Sequence, residues 1–225
     1  MPETITPLSL PMPMGLGRAN AYLLRAGDGF VLVDTGAPNA RGRLQKSLKD
    51  LGCQPGQLKL IVITHGDFDH TGNAAHLRKR YAAKIAMHPG DAGMAERGDM
   101  FWNRKKGGAL LKLVAPLLFR FGKSEKFTPD LWVEDGFDFT GYGFDAKVID
   151  LAGHSQGSIG ILTADGDLFC GDLLDATKQP ELNAIMDDSA AGRASLEKLR
   201  GSGAVTIYPG HGRPFLINEL ASDRR

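Results

Sequence analysis

Four side chains able to bind a metal fall within six residues, His65-Gly66-Asp67-Phe68-Asp69-His70. They directly follow Leu58 to Thr64, a dense apolar run rich in Ile and Val. Such a run reads as a strand buried on both faces. The loops after strand ends are where sheet proteins gather functional groups. In a tight turn His65 and Asp67 face one point, while Asp69 and His70, entering the next helix, face a second point nearby. The competing reading is plainer: Asp69 caps the helix near Thr71, and the histidines are surface residues.

The rest of the chain repeats this strand-then-loop rhythm. Ala21 to Arg25 and Phe30 to Asp34 read as strands joined across Ala26-Gly27-Asp28-Gly29, and Asp34-Thr35-Gly36 closes the second. Asn39 to Leu51 has helical spacing at Leu44, Leu48 and Leu51, with Gly52 as a stop. Thr71 to Tyr81 reads as a helix and Lys84 to Met87 as a strand. Ala146 to Leu151 is a strand that runs into Gly153-His154-Ser155-Gln156-Gly157-Ser158. Ile159 to Thr163 and Leu168 to Cys170 form a hairpin, Ser189 to Arg200 a helix, and Ala204 to Tyr208 a last strand ending in Pro209-Gly210-His211-Gly212. Hairpins mixed with alternating helices exclude a simple parallel wound sheet and point to two mixed sheets faced by helices, an α+β or α/β class.

One stretch breaks the pattern. Phe101 to Phe127 interleaves Trp102, Leu110, Leu111, Leu113 and Phe119 with Arg104, Lys105, Lys106, Lys112 and Arg120, and Pro116 should interrupt any helix there. It reads as a helical insertion, at about 90–130, lying over the site. It is either a lid for a substrate with an apolar tail and an anionic head, or an amphipathic structural face.

With 225 residues the chain fits one domain, 1–225. A formal net charge of +1 gives no field that argues for nucleic acid. Two cysteines make no disulfide framework, and no apolar run reaches the roughly 18 residues of a membrane span. Without a basic head and apolar run at the N-terminus, the expectation is a cytoplasmic protein. Its partner would be a small-molecule substrate, with no stable membrane anchoring; a homodimer is compatible with this.

The ligand run resembles the signature of the metallo-β-lactamase superfamily, usually His-x-His-x-Asp-His. Asp34-Thr35-Gly36, Gly153-His154-Ser155, Gly171-Asp172 and Pro209-Gly210-His211-Gly212 resemble its other markers, in order. The resemblance implies a four-layer αββα sandwich with two divalent metals at one edge. His65, Asp67 and His154 would hold one metal, Asp69, His70 and His211 the other, and Asp172 would bridge. Asp34 and Ser158 would stand behind the ligands and orient them. Zinc is the first expectation. Asp67, where the family usually has histidine, adds a hard negative oxygen that favours iron or manganese.

The reaction implied is hydrolysis of an ester, lactone or thioester by a metal-bound hydroxide, with Asp69 orienting the hydroxide and carrying a proton. Phosphodiester cleavage and a mononuclear iron dioxygenase remain as alternatives. The lactonase branch carries a tyrosine three residues after the bridging aspartate, where this chain has Asp175. A different class of reading comes from Gly153-His154-Ser155-Gln156-Gly157, which also spells the nucleophile elbow of serine α/β-hydrolases, with Ser155 as nucleophile, Asp172 or Asp187 as acid and His211 as base. An elbow needs a helix straight after the serine, and Ser158 to Thr163 reads as β. His76 and His88 lie outside every motif and are read as surface or core residues.

Overall fold

A computed structural model of the chain describes residues 4–104 and 125–220. Two six-stranded sheets face each other. The first runs in spatial order through β1 (Ile5–Pro11), β2 (Arg18–Ala26), β3 (Gly29–Val33), β4 (Leu58–Ile63), β5 (Lys84–Met87) and β6 (Leu131–Trp132). Its hairpins β1–β2 and β2–β3 are antiparallel, and β3 to β6 are parallel. The second sheet has the order β12 (Phe215–Leu216), β11 (Thr206–Gly212), β9 (Asp167–Ala176), β8 (Ile159–Thr163) and β7 (Ala146–Asp150), with β10 (Glu181–Leu182) also on β9.

Side-chain alternation explains the layers. Along β4, Leu60 and Val62 point inward, where they meet Tyr22, Leu24, Val31 and Val33 and, from the second sheet, Val148, Ile159, Ile161 and Phe169. Their neighbours Ile61 and Ile63 point outward onto Leu44 and Leu48 of α1 (Arg41–Asp50) and Leu77 of α3 (Ala74–Tyr81). Because both faces are covered, β4 carries an unbroken apolar run rather than an alternating one. The second sheet turns Ile149, Leu162, Leu168 and Cys170 outward onto Leu196 and Leu199 of α5 (Ser189–Arg200). The result is the expected αββα sandwich.

Departures are local. The helix expected from Thr71 to Tyr81 starts later, at Ala74 (α3), and a separate short helix, α2 (Phe68–Thr71), precedes it. The break comes at Gly72-Asn73. The Asn73 amide donates to the carbonyls of Thr35 and Ala37 at 2.8 and 3.0 Å, and its backbone N–H donates to Thr35 Oγ1. A side chain at Gly72 would run into Pro38 and the Gly36 carbonyl. β9 continues to Ala176, well past Cys170, and β11 starts at Thr206 and carries its strand pairing through His211. β1 was not expected, whereas α4 (Pro89–Arg97) lies at the start of the helical insertion expected at about 90–130. Residues 105–124 of the expected insertion lie outside the described residues. Among the described residues no helix is long and apolar enough to cross a membrane. Cys53 and Cys170 are free and buried in different layers, and burial pushes their thiols up to about 11 and about 12.

Candidate metal centre

The ligand run is bent by α2. Asp67 takes an extended conformation just before the helix, and its carbonyl accepts from the N–H groups of His70 and Thr71. That places Asp69 and His70 in the first turn, pointing back over the strand end, and all four candidate ligands of the run are buried. His154 arrives from the loop after β7. There Gly153 has φ 148° and packs so tightly on Gly192 that any side chain would collide with its backbone. Asp172 comes from the middle of β9 and His211 from the end of β11.

Each of the four imidazoles has its Nδ1 engaged. His70 Nδ1 lies 2.8 Å from Asp34 Oδ2, His154 Nδ1 2.7 Å from the Ile185 carbonyl and His211 Nδ1 2.8 Å from the Arg18 carbonyl. Carboxylates and carbonyls only accept, so in each case Nδ1 carries the hydrogen. Thr64 Oγ1 donates to Asp34 Oδ2 at 2.8 Å and so accepts from His65 Nδ1 at 3.0 Å. All four Nε2 atoms therefore face the centre. Among the described residues, His65 Nε2 and His70 Nε2 are buried without a hydrogen-bond partner, as is Asp172 Oδ1.

Two trios result, His65 with His154 and Asp172, and Asp69 with His70 and His211; in each, the donor atoms lie within 4.8 Å of one another. Asp172 stands between them. Its Oδ2 is 3.9 Å from both His65 Nε2 and His154 Nε2 and 3.3 Å from His211 Nε2, while Oδ1 is 3.4 Å from His70 Nε2. Asp69 Oδ2 lies 3.4 Å from His211 Nε2 and 3.8 Å from His70 Nε2. Asp67 Oδ2 lies 3.0 Å from His154 Nε2 and 3.7 Å from His65 Nε2. Ligands about 2.1 Å from a tetrahedral ion sit roughly 3.4 Å apart, so these spacings fit a metal.

The charges are strongly coupled. Burial holds His65 well below the usual imidazole value, and the neighbouring His70 adds to this. Burial opposes a charge on His70 too, but Asp172, Asp34 and Asp69 together push it up to about 10. His211 is likewise raised, against burial, to about 12 by Asp172 and Asp69. Asp172 and Asp67 are held well below the carboxylate range despite burial, Asp172 by His211 and His70, Asp67 by His154 and Arg104.

Asp34 touches His70 directly and His65 through Thr64. Ser158 holds the His154 loop instead: its Oγ accepts from the Ser155 N–H at 3.0 Å. Ser155 is buried and its Oγ–H donates to Asp91 Oδ2 at 2.5 Å, with Ser158 Oγ at 2.7 Å; no imidazole is among these partners. The chain after it enters strand β8 rather than a helix, so the elbow geometry is absent at Ser155. His76 meets Gln45 at 2.7 Å on the outer side, and His88 Nδ1 accepts from the Gly90 N–H at the start of α4.

Two residues that contact the centre's loops escaped the sequence reading. Asp91, fully buried in the first turn of α4, accepts from the N–H groups of Gly66 and Gly157 and from Ser155, and so ties the ligand run to the His154 loop. Its local sequence, His88-Pro89-Gly90-Asp91, carries no signal of this. Arg104 was read only as one cation of the insertion, yet its guanidinium pairs with Asp67.

The profile of the metallo-beta-lactamase superfamily matches residues 14–211. Human metallo-beta-lactamase domain-containing protein 1 is 31% identical over 226 residues, covering 99% of this chain and 73% of that protein. Hydroxyacylglutathione hydrolase GloC of Haemophilus influenzae is 27% identical over 121 residues, 52% of this chain and 50% of that protein. The crystal structure of TTHA1623 in a di-iron-bound form superposes with a TM-score of 0.69 at 27% identity, covering 95% of this chain and 96% of that one. A profile that spans every ligand loop from β2 to His211, on an αββα sandwich with those loops along one edge, leaves one assignment: the chain belongs to the metallo-beta-lactamase superfamily.

Proposed function

We propose that the protein is a metal-dependent hydrolase with two divalent cations, acting on an ester, lactone or thioester of a small molecule. One observation carries this reading: four buried imidazoles have their Nδ1 atoms tied down and their Nε2 atoms converging on Asp172, two of those nitrogens having no other partner. A buried polar atom without a partner costs about 1–3 kcal/mol, and a cation at each trio removes that cost. His65, Asp67 and His154 would hold one cation, Asp69, His70 and His211 the other, and Asp172 would touch both. Bound there, the metals would supply Lewis acidity and a water acidic enough to attack at neutral pH.

The chain's own groups do the rest. Asp69, beside His211 and under 10% exposed, would orient the attacking water and carry its proton to the leaving group. Zinc suits the imidazoles; the hard carboxylate oxygen that Asp67 would add beside His65 and His154 also suits iron or manganese, and the relative TTHA1623 is di-iron-bound in its crystal structure. The name of GloC supports the thioester end of the range.

The test is elemental analysis of the purified protein, followed by a substrate panel with and without chelator. Two equivalents of metal per chain and chelator-sensitive hydrolysis are expected. Asp69→Asn should lose several orders of magnitude in rate, and His76→Ala should lose little. Chelator-resistant activity, or a normal rate in Asp69→Asn, would overturn the reading.

A further inference from the structure

Asp67 carries a negative charge where its superfamily usually has a neutral imidazole, and the chain has a cation in contact with it. Arg104 reaches in from beyond α4 with its side chain only 8% exposed. One arm of the guanidinium donates to Asp67 Oδ1 and the other to the His154 carbonyl. The same fork therefore joins Asp67 to His154, a member of the first trio. The geometry also divides the carboxylate. Oδ1 is taken by Arg104, and Oδ2 is turned to the Nε2 atoms of His154 and His65, at 3.0 and 3.7 Å. Asp91 and Asp187 are also close enough to act on the guanidinium, so the cation sits inside an acidic surround.

We infer that Arg104 is the positioning partner of Asp67: it returns the charge that the carboxylate adds and leaves one oxygen for the metal. The inference rests on the two-metal reading above. It follows that Asp67 and Arg104 form one functional unit, equivalent in charge to the single histidine usual in the family. An arginine fork is suited to this, since it binds a carboxylate oxygen and a carbonyl at fixed spacing. Without Asp67, the same guanidinium becomes a bare cation beside a dication. Without Arg104, Asp67 loses its anchor to the His154 loop and stands among buried carboxylates that repel it.

These two consequences have opposite signs, which gives the test. Chelator-stripped wild-type protein, Arg104→Met, Asp67→His and the double variant are titrated with zinc alone against a chromophoric chelator. The number and affinity of tight sites are read. Arg104→Met should weaken one of the two sites by about 10–100-fold, the range for a group that orients a metal ligand. Asp67→His should weaken the same site by a similar factor. Adding Arg104→Met to Asp67→His should recover most of that loss, so the one substitution weakens binding in one background and strengthens it in the other. The Asp69, His70 and His211 site should stay filled throughout and reports that each variant is folded. Asp67→Asn, which keeps the shape and drops the charge, should behave as Asp67→His does and serves if that variant fails to fold. Arg104→Met acting with the same sign in both backgrounds would overturn the inference, whether as a general loss or as a general gain. A wild-type chain that takes up no zinc would instead overturn the metal reading on which it rests.

Discussion

Asp34 Oδ2 accepts a hydrogen bond from His70 Nδ1 at 2.8 Å and another from Thr64 Oγ1, which itself holds His65. One carboxylate thus sets the tautomer of an imidazole in each trio. Asp34 has φ 58°, a left-handed conformation that Asn also tolerates. Asp34→Asn therefore tests the carboxylate rather than the backbone. Its amide nitrogen cannot accept from His70 Nδ1, so metal affinity should fall by about 10–100-fold at both trios together. Competition titration with a chelator reads this; an unchanged affinity would mean that the imidazoles hold their orientation without Asp34.

Metal uptake should be driven by rising pH. With His70 raised to about 10 and His211 to about 12, both hold a proton at neutral pH in the metal-free chain. Each must give it up before Nε2 can bind a cation. His65, held well below the usual value, is already neutral. The sign for folding is the reverse. A raised histidine stabilises the metal-free chain fully below its unfolded pKa of about 6.5, and that contribution is lost as pH climbs through 10 and 12. Calorimetry in buffers of different ionisation enthalpy should show proton release, larger at the Asp69–His70–His211 trio. Binding heats independent of buffer would remove this account.

Ser155→Ala should leave hydrolysis near the wild-type rate and lower stability by about 1–3 kcal/mol, because it strips a donor from the fully buried Asp91. A fluorophosphonate probe should not label the protein. Loss of activity with unchanged metal content would restore the serine reading.

Gly210→Ala should empty the centre. The methyl group would meet the Asp172 carboxylate and come within 2.8 Å of His70 Cε1. Both neighbours are fixed by their own hydrogen bonds or strands, so neither can give way cheaply. A variant with wild-type metal content would show that β11 can shift outward at no cost.

The β4 strand, the ligand run and the helix Ser189–Arg200 were legible because each is encoded locally, by an apolar run, a donor cluster or helical spacing. β1 was not, since Pro7 and Pro11 argue against a strand; it forms because it lies at the sheet edge, where a missing N–H is tolerated. The split between α2 and α3 depends on Asn73 reaching carbonyls more than thirty residues earlier. The same holds for Asp91 and Arg104: each acts on loops far away in sequence, so no spacing rule near them reveals it. The histidines could be picked out alone, but what orients them could not.

The last ligand is hung from the opposite sheet. Tyr22 Oη, at 2.5 Å, and the Asn20 amide, at 3.0 Å, both donate to the Pro209 carbonyl, and His211 donates to Arg18; all three partners sit on β2. Most of the remaining donor atoms hang from the loops that follow the strands of either sheet. The cluster is consequently a rivet through the sandwich: sliding one sheet against the other changes its bite, and closing that bite on a cation should slow amide exchange along β2 and β11, far beyond the residues that touch the ion.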